Sequence, residues 1–103
     1  MRVVRLSLTA RAMFQTLLAQ RAEKFGFEVA EEMRLLVEGC IRTYLAEFPH
    51  HGFRTPRKTF YRYPVCDPPF AIVYHYDDAQ LRVLFIVQKR ADRRPLKPAD
   101  VEW

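Results

Sequence analysis

Two apolar stretches separated by a short polar segment dominate the C-terminal half of the chain. Phe70–Tyr76 is rich in the β-branched and aromatic residues that favour strands. Asp77-Asp78-Ala79-Gln80 interrupts this pattern with residues that favour turns, and Leu81–Val87 resumes it. Because Val83–Val87 is apolar without a break, we predict that the second strand is covered on both faces. The pattern predicts two strands joined by a tight turn, and the second strand leads directly into basic residues.

The N-terminal half begins with a different periodicity. Met1–Leu8 alternates between apolar and basic residues, which predicts a short strand, and Thr9 is a plausible N-cap for a first helix. We expect Gly26 to end this helix, because glycine is favoured at helix C-termini. Apolar residues recur between these two points at helical spacing, and they are Ala10, Phe14, Leu17, Leu18, Ala22 and Phe25.

A second helix is predicted from about Glu28 to about Phe48, where Pro49 stops it. With only a glycine-containing turn between them, the two helices should form an antiparallel hairpin. The apolar face of the second helix, which we interpret as core, comprises Val29, Met33, Leu36, Val37, Cys40, Ile41, Tyr44 and Phe48.

The segment after the helices contains one more predicted strand, Thr59–Val65, and the prolines around Cys66 confine the region that follows to a loop or an edge of the sheet. The order is then strand, helix, helix and at least three strands joined by short links. Such consecutive strands should be antiparallel. The predicted fold class is α+β, with an N-terminal strand and an antiparallel helical hairpin packed on a small, twisted antiparallel sheet. We expect one domain over residues 1–94 and a C-terminal tail over residues 95–103.

Size and composition fit a single folded domain without cofactors. The chain has 103 residues, of which 50% are hydrophobic, so it can bury one core without a metal or disulfide. No apolar run approaches the ~20 residues of a membrane span, and we expect a cytoplasmic protein with no membrane partner. Cys40 and Cys66 lack metal-type spacing. The adjacent His50 and His51 lack a third ligand nearby, so no metal site is predicted.

Positive charge is concentrated in the second half of the chain. The formal net charge is +5, and residues 51–103 hold 10 basic but only 6 acidic side chains. Clusters of this kind suit a nucleic acid or an acidic protein, although an ordinary solvated surface would have the same appearance. The two clusters are Arg54, Arg57, Lys58 and Arg62, and then Lys89, Arg90, Arg93, Arg94 and Lys97.

The order and spacing of several segments resemble the toxins of the ParE/RelE superfamily of bacterial type II toxin–antitoxin systems. The similar stretches cover about residues 3 to 94. The resemblance implies the fold described above, a helical hairpin on an antiparallel sheet. The segments that carry it are Leu8-Thr9-Ala10-Arg11-Ala12, Phe25-Gly26-Phe27-Glu28-Val29-Ala30, Leu45-Ala46-Glu47-Phe48-Pro49-His50-His51-Gly52, and the two C-terminal strands with the Arg90 and Asp92 that follow.

Two activities compete within that superfamily. Resemblance to the RelE-like branch implies a ribosome-dependent mRNA endoribonuclease. Such an enzyme needs a general base, a general acid and cations that stabilise the phosphate. The usual acid or base is a His or Tyr just after the central strand, but here that segment reads Gln88-Lys89-Arg90. If the chain is a nuclease, the resemblance and the residue types point to Lys58, Arg62, Arg90, Tyr61, Tyr63 and His75 as its catalytic residues.

Resemblance to the ParE-like branch implies a non-hydrolytic toxin that poisons DNA gyrase by binding it. Because Gln88 cannot transfer a proton, we favour this branch, in which growth is inhibited by target binding and no residue is assigned as catalytic. The expected target-binding residues are Arg54, Arg57, Lys58, Arg62, Lys89, Arg90, Arg93 and Arg94. A small, non-toxic domain that binds nucleic acid or protein is a third interpretation.

In either toxin branch the resemblance implies a cognate antitoxin, which is commonly acidic and partly disordered when free. A basic, aromatic-rich surface suits such a segment, because charge attraction accelerates the encounter and apolar anchors slow dissociation. The exposed side of the helical hairpin and the open edge of the sheet are both candidate docking surfaces, and the sequence does not choose between them.

Overall fold

The computed structural model describes residues 2–54, 60–65, 70–88 and 101–103, with only the backbone of Arg54. Within this part of the chain, a helical hairpin packs on a five-stranded sheet. The helices are α1 (Leu8–Phe25) and α2 (Phe27–Gly39), followed by a π-helical segment (Cys40–Leu45) and a 3-10 turn (Pro49–His51). The strands are β1 (Val3–Leu6), β2 (Phe53–Arg54), β3 (Tyr61–Val65), β4 (Phe70–Tyr76) and β5 (Gln80–Gln88).

The sheet has the order β1-β5-β4-β3-β2, and its last four strands pair antiparallel as predicted. The N-terminal strand β1, however, lies parallel to β5, with Leu6 opposite Val83. The sheet is therefore mixed, and the prediction of a wholly antiparallel sheet is wrong at this one pair. The cause is topological: the hairpin and the three strands after it reverse the chain an even number of times between β1 and β5, so both run in the same direction.

Helix α1 begins one residue after Ser7, and Ser7 is its N-cap. The buried Ser7 Oγ accepts a hydrogen bond from the Ala10 amide at 2.8 Å and donates one to the Leu84 carbonyl at 2.7 Å. The expectation that Thr9 is the N-cap is wrong, because Thr9 lies inside the first turn. Its Oγ1 instead accepts a hydrogen bond from the Glu102 amide at 2.9 Å, which holds the C-terminal residues against α1.

The turn between the helices is a single residue, Gly26, which ends α1 as predicted. Its φ of 98° lies in the region that residues other than glycine rarely adopt. We expected the second helix to continue to about Phe48, but α2 ends at Gly39 and a π-helical segment begins at Cys40. This segment still buries Ile41 and Leu45, but the wider turns leave Tyr44 more than a third exposed.

The core occupies both faces of the β4–β5 hairpin, which confirms that Val83–Val87 is buried on both sides. On one face, Ile72, Tyr74 and Ile86 join the helix residues Phe14, Met33, Val37 and Ile41. On the other face, which we call the outer face, Val73, Phe85 and Val87 form a second cluster to which Phe60 and Val101 contribute. A bulge between Val73 and Tyr74 sets Leu84 out of register, so inward and outward positions shift by one along β5.

The helical stripes predicted from periodicity are wider than the face that the sheet covers. Phe25 is 51% exposed and Leu36 is 48% exposed, although both fall on the predicted apolar stripes. Phe27, beside the glycine turn, is 76% exposed. Neither α1 nor any other described helix combines the length and hydropathy needed to cross a membrane.

Candidate target-binding surface

Most of the predicted target-binding residues fall outside the described side chains. These are Arg54, for which only the backbone in β2 is described, and Arg57, Lys58, Lys89, Arg90, Arg93 and Arg94. Their assignment stays a prediction. Arg62 is described, and its side chain is exposed on β3.

The described residues Arg54 and Gln88, which adjoin the two basic clusters in sequence, lie near opposite ends of β4 in the sheet. Arg54 ends β2 opposite Tyr61, and Tyr61 lies opposite Tyr74 near the end of β4. Gln88, which precedes Lys89, lies opposite Phe70 at the start of β4.

Arg62 lies on the outer face, in register with Val73. Two further arginines occupy the same face of the sheet, because Arg5 of β1 lies opposite Arg82 of β5, and Arg82 lies opposite His75 of β4. Side chains directly opposite one another on neighbouring strands are close enough to interact. Arg5, Arg82 and His75 therefore form a row across three strands of the outer face, and Arg62 lies on the same face.

Neighbouring groups contact two of these cations. Arg82 Nε donates to Gln80 Oε1 at 2.9 Å, and an Arg82 terminal nitrogen lies 3.7 Å from Asp77 Oδ2. The Arg5 guanidinium lies over the Trp103 ring, 5.2 Å from its centroid. The Asp77 carboxylate and the Trp103 ring each offset part of this positive charge, which reduces the repulsion between like charges on paired strands.

His75 is half-buried beside Phe60, with ring centroids 6.1 Å apart. Burial lowers the pKa of His75, the Arg82 cation lowers it further, and the Asp77 carboxylate opposes both effects. The pKa of His75 therefore lies below its ordinary value, which favours the neutral imidazole. As a neutral imidazole it contributes hydrogen-bonding capacity and aromatic surface to the outer face, but no full positive charge.

The tyrosines considered as catalytic candidates lie on the opposite face. Tyr61 pairs with Tyr74 across the strands and stacks on it, with ring centroids 5.7 Å apart. Tyr63 packs against Tyr44 of the π-helical segment at 5.6 Å. Because strand side chains alternate between faces, Tyr61 and Tyr63 cannot converge with His75 on one substrate. The three residues do not form a single proton-transfer site.

A cluster of aromatic rings that sequence reasoning did not anticipate surrounds His51. Tyr44 Oη and His51 Nδ1 form a hydrogen bond of 2.5 Å, and the Phe48 and His51 rings stack 5.2 Å apart at 7°. His50 meets His51 edge to face at 4.5 Å. Among the described residues, no group of three His, Cys, Asp or Glu side chains is arranged to hold a metal ion. The two histidines act here as partners of aromatic rings.

No protein-family model matches the sequence, and a comparison with curated proteins also found no match. The fold, in contrast, is similar to that of a chain in a solved structure described as "Chromosomal ParDE TA system from P. aeruginosa", where TA denotes toxin–antitoxin. The two chains align with a TM-score of 0.66 and 13% sequence identity, over 85% of this chain and 96% of the other. The similarity confirms the predicted α+β fold.

Sequence reasoning overlooked Arg5 and Arg82 because their neighbours in sequence are apolar, so neither belongs to a run of basic residues. The signal that could have found them is alternation: both occupy positions between inward-facing residues, at Val4 and Leu6 in β1 and at Leu81 and Val83 in β5. Their juxtaposition depends on the parallel β1–β5 register, which the sequence pattern does not encode.

Proposed function

We propose that this chain is the toxin of a type II toxin–antitoxin system, of the ParE-like kind, and that it inhibits growth by binding its target. DNA gyrase is the leading candidate for that target, and a cognate antitoxin neutralises the toxin. The observation that carries the proposal is the fold similarity to a chain from a ParDE TA system, over 85% of this chain and 96% of the other.

The outer face supports target binding in preference to catalysis. Arg5, Arg62 and Arg82 project from three different strands on the same face, which gives a broad basic surface. Such a surface suits phosphates or an acidic protein. Catalysis of RNA cleavage needs a base and an acid on the same substrate, and Tyr61, Tyr63 and His75 are divided between two faces.

The Tyr74 phenol is also unsuited to proton transfer. Its hydroxyl is buried and donates to the Pro49 carbonyl at 2.5 Å, and burial raises the pKa of Tyr74. A phenol that stays protonated and points at a backbone carbonyl has a structural role.

Controlled expression in a bacterial host tests the function, with DNA synthesis and protein synthesis pulse-labelled in parallel. Gyrase poisoning should stop DNA synthesis first and alter plasmid supercoiling while translation continues. Early arrest of translation with mRNA cuts in ribosome-bound codons would instead identify a RelE-like endoribonuclease.

A variant that cannot fold provides the control. Val37 is fully buried, so Val37→Asp places an unpaired carboxylate in the core and should abolish every effect of expression. If the parent chain has no more effect on growth than Val37→Asp at equal expression, the toxin proposal is wrong.

A further inference from the structure

A cleft lies between the C-terminal half of α1 and the end of the sheet where β5 finishes. It has a volume of about 190 Å³. Its apolar lining comes from Leu17, Phe25 and Phe70, and its polar lining comes from Gln20, Arg21, Lys24 and Gln88. The cleft lies on the helix-covered face of the sheet, so it is separate from the basic outer face.

The described lining of the cleft is basic without any acidic side chain. The Arg21 guanidinium lies 4.7 Å and the Lys24 ammonium 5.4 Å from the centroid of the Phe25 ring. Arg21 Nε is shielded from solvent and has no hydrogen-bond partner among the described residues. A buried donor of this kind is normally satisfied, and a carboxylate oxygen is its strongest natural acceptor.

The size of the cleft restricts what it can accept. Sites for drug-sized ligands and cofactors are typically about 300–1,000 Å³, so this cleft is too small for most of them. It suits one or two amino-acid side chains inserted from a protein partner. Because two cations already occupy the vicinity of the Phe25 ring, that ring is poorly placed to stack on a nucleic-acid base.

The cleft combines apolar and cationic groups, so a complementary partner needs an apolar side chain and a negative charge. Phe25 is half exposed at the mouth of the cleft, and the adjacent Phe27 is still more exposed, so apolar surface continues around the Gly26 turn. A nucleic-acid backbone supplies negative charge but no apolar side chain for Leu17 and Phe70 to contact. An acidic peptide that carries a leucine-like anchor supplies both.

We infer that this cleft is a docking site for an acidic protein segment, which inserts one apolar side chain between Leu17, Phe25 and Phe70 and places a carboxylate against Arg21 and Lys24. If the function proposed above is right, that segment belongs to the antitoxin, and its docking surface is the junction of α1 and the sheet, apart from both the exposed side of the hairpin and the open sheet edge.

The test uses the full chain, isotopically labelled for NMR, and a short peptide of alternating glutamate and leucine as the probe. The comparison probes are a glutamate–serine peptide, a lysine–leucine peptide and an oligothymidine of similar length. We expect the glutamate–leucine peptide to shift the amide signals of Leu17, Phe25 and Gln88, and to bind more tightly than any comparison probe.

A pair of charge-matched variants separates the cleft from general electrostatics. Arg21→Gln combined with Lys24→Gln removes two charges at the cleft, and Arg11→Gln combined with Arg42→Gln removes two exposed charges elsewhere. The cleft variant should bind the glutamate–leucine peptide about tenfold more weakly, which corresponds to about 1.4 kcal/mol, and the control should bind like the parent.

Four results would each overturn the inference: equal weakening in the two variants, equal binding of the glutamate–serine peptide, tighter binding of the oligothymidine, or no shift at the cleft amides. Thermal unfolding of each variant verifies that it is folded. Growth inhibition does not enter the readout. A non-toxic chain can therefore still bind the peptide, and a toxic chain can still fail to bind it.

Discussion

The buried Tyr74 ring occupies the space that a side chain at Gly52 would need. A Cβ atom built on Gly52 would lie 3.0 Å from Tyr74 Cζ and 3.1 Å from Cε1, and closer still to the hydroxyl. The ring cannot move aside, because it is fully buried and its hydroxyl is bonded to Pro49. The loop before β2 therefore packs directly on β4.

Gly52→Ala should lower the free energy of unfolding by about 1–3 kcal/mol, because the added methyl group overpacks this contact. Urea denaturation measures the change. Gly39→Ala is the matched control: nothing lies within 4 Å of its added Cβ and its backbone is helical, so it should stabilise the protein by about 0.4–1 kcal/mol. If the two alanine variants have the same stability, the close approach of Gly52 and Tyr74 is wrong.

Ser7→Ala should cost about 1–3 kcal/mol, since it removes the N-cap of α1 and leaves the Ala10 amide without its hydrogen-bond acceptor. Thr9→Ala removes only the exposed bond to the Glu102 amide and should cost about 0.5–1 kcal/mol. Thermal or chemical denaturation of both variants makes the comparison. A larger loss for Thr9→Ala would restore Thr9 as the cap.

Stability should fall as the pH drops below about 6.5, the ordinary pKa of histidine. The pKa of His75 is lowered in the folded state, so between the folded and unfolded pKa values the unfolded chain binds more protons, and stability rises with pH. His75→Gln should make the stability curve flatter in this range. Denaturation at several pH values measures it, and an unchanged slope in His75→Gln would assign the dependence to other groups.

Removing basic side chains should weaken growth inhibition if the basic surface carries the function. We expect Arg62→Ala, Lys58→Ala and Arg90→Ala each to reduce growth inhibition. Each should lower the affinity for the target by up to about fivefold, since an exposed ion pair is worth about 0–1 kcal/mol. Growth curves at matched expression measure the effect. Arg42→Ala, an exposed arginine in the π-helical segment, is the control. If all four variants inhibit growth as strongly as the parent chain, Arg62, Lys58 and Arg90 do not belong to the target-binding surface.

The local elements could be predicted because each has its own signal. The Phe70–Tyr76 strand and the turn at Asp77 are encoded by composition, and Asp77 Oδ1 accepts hydrogen bonds from the amides of Ala79 and Gln80 at 2.8 Å each. Gly26 ends α1 because its φ is positive. These features depend on only a few neighbouring residues.

Features that depend on distant contacts could not be predicted in this way. The burial of the Ser7 hydroxyl could not be predicted, because it bonds to the carbonyl of Leu84, which lies 77 residues away in the chain. The separation of Tyr61 and Tyr63 from His75 follows from strand pairing between β3 and β4. The basic residues Arg5 and Arg82 meet only through the parallel β1–β5 pair.

The pairing of the first strand with the last also governs when the protein can fold during synthesis. At about 5–20 residues per second, the ribosome needs roughly 4–15 s to make the 77 residues between Ser7 and Leu84. Throughout that time β1 has no partner strand and α1 lacks the sheet that buries Ala10 and Phe14. The sheet therefore cannot be completed until β5 has been made, and a product truncated before β5 leaves β1 without its partner strand.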